Sequence, residues 1–170
     1  MNALTCVPDV AALLLERFRA GSKLLIAGNG GSAAIAQHLA AELVVRYQLD
    51  RRPLPALALS ADGVVLTAGG NDYDFTHVFA RQVQALGREG DVLLVLSTSG
   101  RSVNVFNAVR AANDVGMVTV GFFGSDPTEM AMAAQVRLFF VGANAGEIQE
   151  QHLHALHEMC ALVEKEVAGW

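Results

Sequence analysis

The chain has 170 residues, 52% of them hydrophobic, and a net charge of −5. This length fits one domain with a core large enough to need no covalent staples. No stretch approaches the roughly 20 apolar residues of a membrane span, and the lack of a Lys/Arg stripe argues against nucleic acid as the ligand. Cys6 and Cys160 sit near opposite ends and make no disulfide framework. The first residues show neither a basic leader nor a small-residue cleavage site, so the expected location is the cytoplasm, with no membrane partner.

In chain order, Pro8 suits a first helical turn, and Val10, Leu13, Leu14 and Phe18 repeat at helical spacing over 8–20. Short, nearly continuous apolar runs follow at 23–28, 55–60, 91–97, 117–123 and 135–141. Strands buried on both faces have this composition. Helical period fills 32–46, 75–86, 102–114 and 127–133, and a long amphipathic stretch closes the chain at 147–167. Alternation of this kind predicts an α/β fold of right-handed βαβ units around a parallel sheet. No repeat, linker or low-complexity tract divides it, which predicts one domain over 1–170, with a helical segment 1–20 ahead of a core 21–170.

Ligands of open parallel sheets sit beyond the carboxyl ends of the strands, so the residues after each run carry the functional signal. "GNGGSA" at 28–33 is a glycine-rich strand-to-helix turn containing Asn29, Gly30, Gly31 and Ser32. It is neither a P-loop nor a dinucleotide fingerprint. A plain βα turn and an anion cradle both fit it. "STSGRS" at 97–102 says more: Ser97, Thr98, Ser99 and Ser102 place four hydroxyls ahead of a helix. A helix cap needs one hydroxyl, whereas four, with the helix N-terminus behind them, suit a phosphate.

His38 and Glu42 are four apart in an otherwise apolar, core-facing helix and share one face. A buried carboxylate there calls for a partner, a metal or a proton. On the last helix Gln149 and His157 are eight apart, about 12 Å of rise, within reach of a point midway over Leu153. His154 turns well away, as an ordinary surface or core residue of the helix. In "GGNDYDF" at 69–75, Asn71 and Asp72 are candidate caps for the helix beginning near Phe75, and Asp72 is also the acidic candidate for the crevice.

Taken together, "GNGGSA", "AQHLAAE", "NDY", "STSGRS" and "IQEQHLHALH" resemble the sedoheptulose 7-phosphate isomerases (phosphoheptose isomerases) of the SIS sugar-isomerase fold. The resemblance runs from about Gly21 to Glu166. It implies a three-layer αβα domain with a five-stranded parallel sheet of flavodoxin-like type. It also implies a homotetramer with sites at subunit interfaces, and isomerisation of a phosphorylated C7 sugar, sedoheptulose 7-phosphate. Carried over residue by residue, it makes Glu42 the base and His157 the acid/base. His38, Glu42, Gln149 and His157 become ligands of one zinc ion per subunit. Ser97, Thr98, Ser99 and Ser102 would hold the phosphate, and Asn29, Gly30, Gly31, Ser32, Arg46, Asp72 and Gln149 would line the sugar site.

The chain departs from the family in its N-terminal helical region, reduced to about 8–20, and in the loop "GANAGE" at 142–147. Two other readings compete. One is a non-catalytic SIS protein that binds a partner such as a replication initiator. In that branch the glutamate and last-helix histidine are replaced, and here Glu42 and His157 are present. The other is an isomerase of a different C7 or C8 sugar phosphate.

Overall fold

The computed structural model describes residues 6–169. Each apolar run becomes a strand: β1 Leu24–Gly28, β2 Ala56–Ala58, β3 Val92–Ser97, β4 Val118–Phe123 and β5 Val136–Phe139. They pair in parallel in the order β2-β1-β3-β4-β5. Every residue of β1 and β3 is buried. Helices cover both faces of the sheet, so neither strand needs a polar side.

The helices are α1 Val7–Arg19, α2 Gly31–Val44, α3 Gly63–Asp72, α4 Val78–Leu86, α5 Val103–Val115, α6 Glu129–Ala133 and α7 Ala145–Val167. Leu24, Ile26, Leu94 and Phe122 pack with Leu14 of α1, Leu39 of α2 and Leu156 of α7. Their strand neighbours Leu25, Ala27, Leu93 and Val95 face the opposite layer, against Val83 of α4, Val109 of α5 and Met130 of α6. Successive strand residues thus serve opposite cores, which gives the expected αβα layers. Each fully buried Leu contributes on the order of 1.5–3 kcal/mol. Among the described residues no helix is long and apolar enough to cross a membrane.

Two local expectations fail. The stretch 63–72 was not expected to be helical, yet it forms α3, held at its start by Asp62, whose Oδ1 accepts from Val64 N at 2.9 Å and Val65 N at 3.0 Å. Gly69, Gly70 and Thr67 are weak helix formers, and no residue of α3 is buried, so no apolar period marks it. Helical backbone does begin at Phe75, as a 3₁₀ turn Phe75–His77 that runs into α4, but Asp74 rather than Asn71 or Asp72 caps it, accepting from Thr76 N at 2.7 Å.

The strand order reverses between β1 and β3, and a ligand crevice opens at such a switch point. The glycine-rich turn leaves β1 there, and the hydroxyl-rich loop leaves β3 beside it.

Candidate active site

Gly30 takes φ +54°, a conformation glycine adopts freely, and α2 starts directly after it. Gly31 lets α7 come close: a Cβ at this position would sit 2.5 Å from Gln149 Oε1. Ser32 is buried. Asn29 and Asn104 of α5 exchange two hydrogen bonds of 2.8 Å between their carboxamides, which joins the two loops across the switch point.

In the hydroxyl loop, Ser97 Oγ accepts from Gly100 N and Ser99 Oγ from Arg101 N, each at 3.2 Å. These bonds shape the loop; Ser97 is itself buried, and Ser99 keeps its hydroxyl proton for an anion. Ser102 occupies the N-cap position of α5, but its side chain makes no capping bond. Thr98 and Ser99 line a cavity of about 300 Å³ with Ser125 and Asn144, the N-cap of α7.

A second cluster lies further along α2. His38 Nε2 is 2.9 Å from His157 Nε2 of α7 and 3.3 Å from Glu42 Oε1. His38 is exposed (45% of its side chain), contrary to the expected core-facing position, whereas the Glu42 side chain is 16% exposed. The other carboxylate oxygen, Glu42 Oε2, is buried with no hydrogen-bond partner among the described residues. The Tyr47 ring stacks on His157, with centroids 5.4 Å apart and planes 15° from parallel. Donor atoms of His38, Glu42 and His157 all lie within 4.8 Å of one another, so the trio could hold a metal ion. Two imidazoles, a carboxylate and an unsatisfied buried oxygen suit a divalent cation.

Other candidates lie outside this trio. Gln149 turns its amide to Gly31, and Gly31 and His38 are seven positions apart on α2, about 10 Å of rise. Arg46 is exposed just past the end of α2. Asp72 is exposed at the end of α3, where its Oδ1 accepts from Asn71 Nδ2 at 2.7 Å. Glu42 sits eleven positions beyond Gly31, about 16 Å along α2, so the glycine turn and the trio lie at opposite ends of that helix.

A SIS domain family model matches residues 6–124. The phosphoheptose isomerase of Pelobacter propionicus is 50% identical over 157 residues, covering 92% of this chain and 83% of that protein. That of Synechocystis sp. is 49% identical over 158 residues, covering 93% and 81%. The solved phosphoheptose isomerase of Neisseria gonorrhoeae superposes with a TM-score of 0.87 at 41% identity, covering 94% of this chain and 85% of the other. The chain belongs to the phosphoheptose isomerases of the SIS fold.

For a member of this isomerase family, four residues that sequence reasoning passed over stand close to the site. Asn104 is buried and Tyr47 half-buried. Glu164 of α7 is 1% exposed, and its carboxylate accepts from the backbone N–H of Tyr47 (2.6 Å), Gln48 (2.8 Å) and Leu49 (2.9 Å). Arg51 Nε lies 3.5 Å from Glu164 Oε1. Burial alone would push the Glu164 carboxyl up. The N–H groups of Leu49, Gln48 and Tyr47, then Arg51, outweigh it and hold the carboxyl below its ordinary value. One sequence signal was available: Glu164 falls within the apolar stripe Leu156, Cys160, Val163 and Val167, where a charge needs a partner.

Proposed function

We propose that this isomerase converts sedoheptulose 7-phosphate to D-glycero-D-manno-heptose 7-phosphate through a cis-enediol, in the cytoplasm and as a homotetramer, supplying heptose for a surface glycan. The observation that carries the mechanism is the buried, unpartnered Glu42 Oε2 beside the His38–His157 contact. In the ketose-to-aldose direction the Glu42 carboxylate takes a proton from C1, the electron pair forms the C1–C2 double bond, and the proton returns to C2. His157 gives a proton to O2 and takes one from O1, so each oxygen exchanges its bond order without leaving charge behind. A zinc ion held by His38, Glu42 and His157 would act as a Lewis acid on the sugar oxygens.

Remote binding comes from the phosphate. Ser97, Thr98, Ser99 and Ser102 would hold it at the N-terminus of α5, and Asn29–Ser32, Arg46 and Asp72 would line the sugar. The resemblance to the phosphoheptose isomerases supports a site completed at a subunit interface. Residues 21–169 act as one SIS unit in this arrangement, and 6–20 as its N-terminal helical segment; the rest of the expected 1–20 and 21–170 division, residues 1–5 and 170, lies outside the described residues.

The test is direct. The purified protein is incubated with sedoheptulose 7-phosphate, and aldose formation is followed with time. Absence of turnover, alongside isomerisation of another C7 or C8 sugar phosphate, would reassign the substrate.

A further inference from the structure

The buried ion pair Arg51–Glu164 lies outside the proposed chemistry, yet both partners reach the catalytic elements. Their side chains are 0% and 1% exposed. A buried pair of this kind is weak evidence for stability, because desolvation offsets most of the attraction. Its contacts suggest another use. Arg51 Nη2 donates to the Glu42 carbonyl at 2.6 Å, and Arg51 Nη1 to the Leu43 carbonyl at 2.7 Å and the Arg52 carbonyl at 3.0 Å. Glu42 and Leu43 are in the last turn of α2, whose carbonyls have no partner within the helix. Arg51 therefore satisfies the backbone of the very residue that carries the base.

Glu164 acts on the other side. Its three accepted N–H bonds pin 47–49, and Tyr47 in that segment is the residue stacked on His157. His157 and Glu164 are seven positions apart on α7, about two turns on one face. The helix that presents the imidazole thus also anchors the ring that braces it.

We infer that Arg51 and Glu164 form a clamp that positions both catalytic groups, Glu42 through the end of α2 and His157 through the Tyr47 ring. Tyr47, Arg51 and Glu164 are positioning residues; the roles of Glu42 and His157 rest on the proposed function above. The clamp explains why a small enzyme keeps a charge pair inside an apolar stripe. Misplacement of a reacting group by about 1 Å can lower rate a hundredfold without touching substrate affinity.

The experiment uses the full chain with Y47A, Y47F and E164Q, read in two ways. Kinetics with sedoheptulose 7-phosphate should give a kcat lowered about tenfold or more in Y47A and E164Q, KM within about twofold, and Y47F close to wild type. Y47F keeps the stacked ring, whereas a role in the fold alone would not split kcat from KM. Independently of turnover, the ring resonances of His157, assigned in wild type by loss in H157Q, should move toward those of free imidazole in Y47A and stay in place in Y47F. If E164Q does not fold, the two Tyr47 variants decide. Resonances of His157 unmoved in Y47A overturn the clamp whatever the kinetics. A wild-type protein inactive on the sugar removes the proposed substrate, and the resonances still decide the clamp.

Discussion

Asn29 and Asn104 face each other with their carboxamides reversed, each Nδ2 2.8 Å from the other's Oδ1. One follows β1 and the other lies in the first turn of α5. The pair fixes the spacing between the glycine turn and the hydroxyl loop. Asn104→Leu is close in volume, removes both bonds and leaves Asn29 half-buried without its partner. The expected loss is about 1–3 kcal/mol of stability, together with a raised KM for phosphorylated sugar. Urea unfolding and initial rates check it; an unchanged KM would uncouple the two loops.

Glu42→Gln keeps the shape of the side chain and removes the proposed base. Turnover should fall by at least about a hundredfold, the usual contribution of a general base. Sugar binding measured by calorimetry should persist. Near-normal turnover would take Glu42 out of the mechanism.

The hydroxyl loop makes a different kind of prediction. Among the described residues Ser99 Oγ is tied to the loop only through Arg101 N, so Ser99→Ala should leave the fold intact and raise KM more than it lowers kcat. The same substitution is expected to matter little for a sugar without phosphate. An unchanged KM across several phosphosugars would place the phosphate elsewhere.

Metal and assembly can be tested together. The His38, Glu42 and His157 donors lie within 4.8 Å of one another, and three protein ligands with an open fourth position hold zinc less tightly than a closed set of four. Zinc of modest affinity, in a tetramer, is the expected state. Activity lost to a strong chelator and restored by zinc, with a tetrameric mass by light scattering, would support both parts. A fully active micromolar monomer, indifferent to chelator, would defeat them.

Stability should depend on His152. This residue is fully buried on α7, edge-on to Phe140 with centroids 4.7 Å apart, and both ring nitrogens lack a hydrogen-bond partner among the described residues. Burial pulls its pKa down from 6.5 to about 4; the backbone of Phe123 opposes weakly, without closing a well-formed bond. The unfolded chain therefore binds the extra proton first. Stability from this residue is complete above about pH 6.5 and is lost as pH falls toward about 4, by roughly 3 kcal/mol in all. Glu164, whose pKa is lowered from 4.5, adds a loss that begins only at the acid end of that window. His152→Phe should flatten the slope of unfolding free energy between pH 6.5 and 4 and leave the Glu164 loss below it. An undiminished slope would assign the acid sensitivity to another group.

The five strands, most of the helices and the two polar loops were legible in the sequence, because buried parallel strands are continuously apolar and loops at their carboxyl ends carry glycine and hydroxyls. His38 and Glu42 could be paired from spacing alone, since residues four apart stack on a helix. Tertiary structure decided what local period cannot encode. Helix α3 buries nothing and leaves no periodic trace. The contacts of His38 with His157, Asn29 with Asn104 and Glu164 with 47–49 join positions 119, 75 and 115–117 residues apart. Gln149 and His157, readable as converging, instead meet α2 at Gly31 and at His38. A straight helix laid along another keeps its own rise, so two residues two turns apart meet neighbours two turns apart.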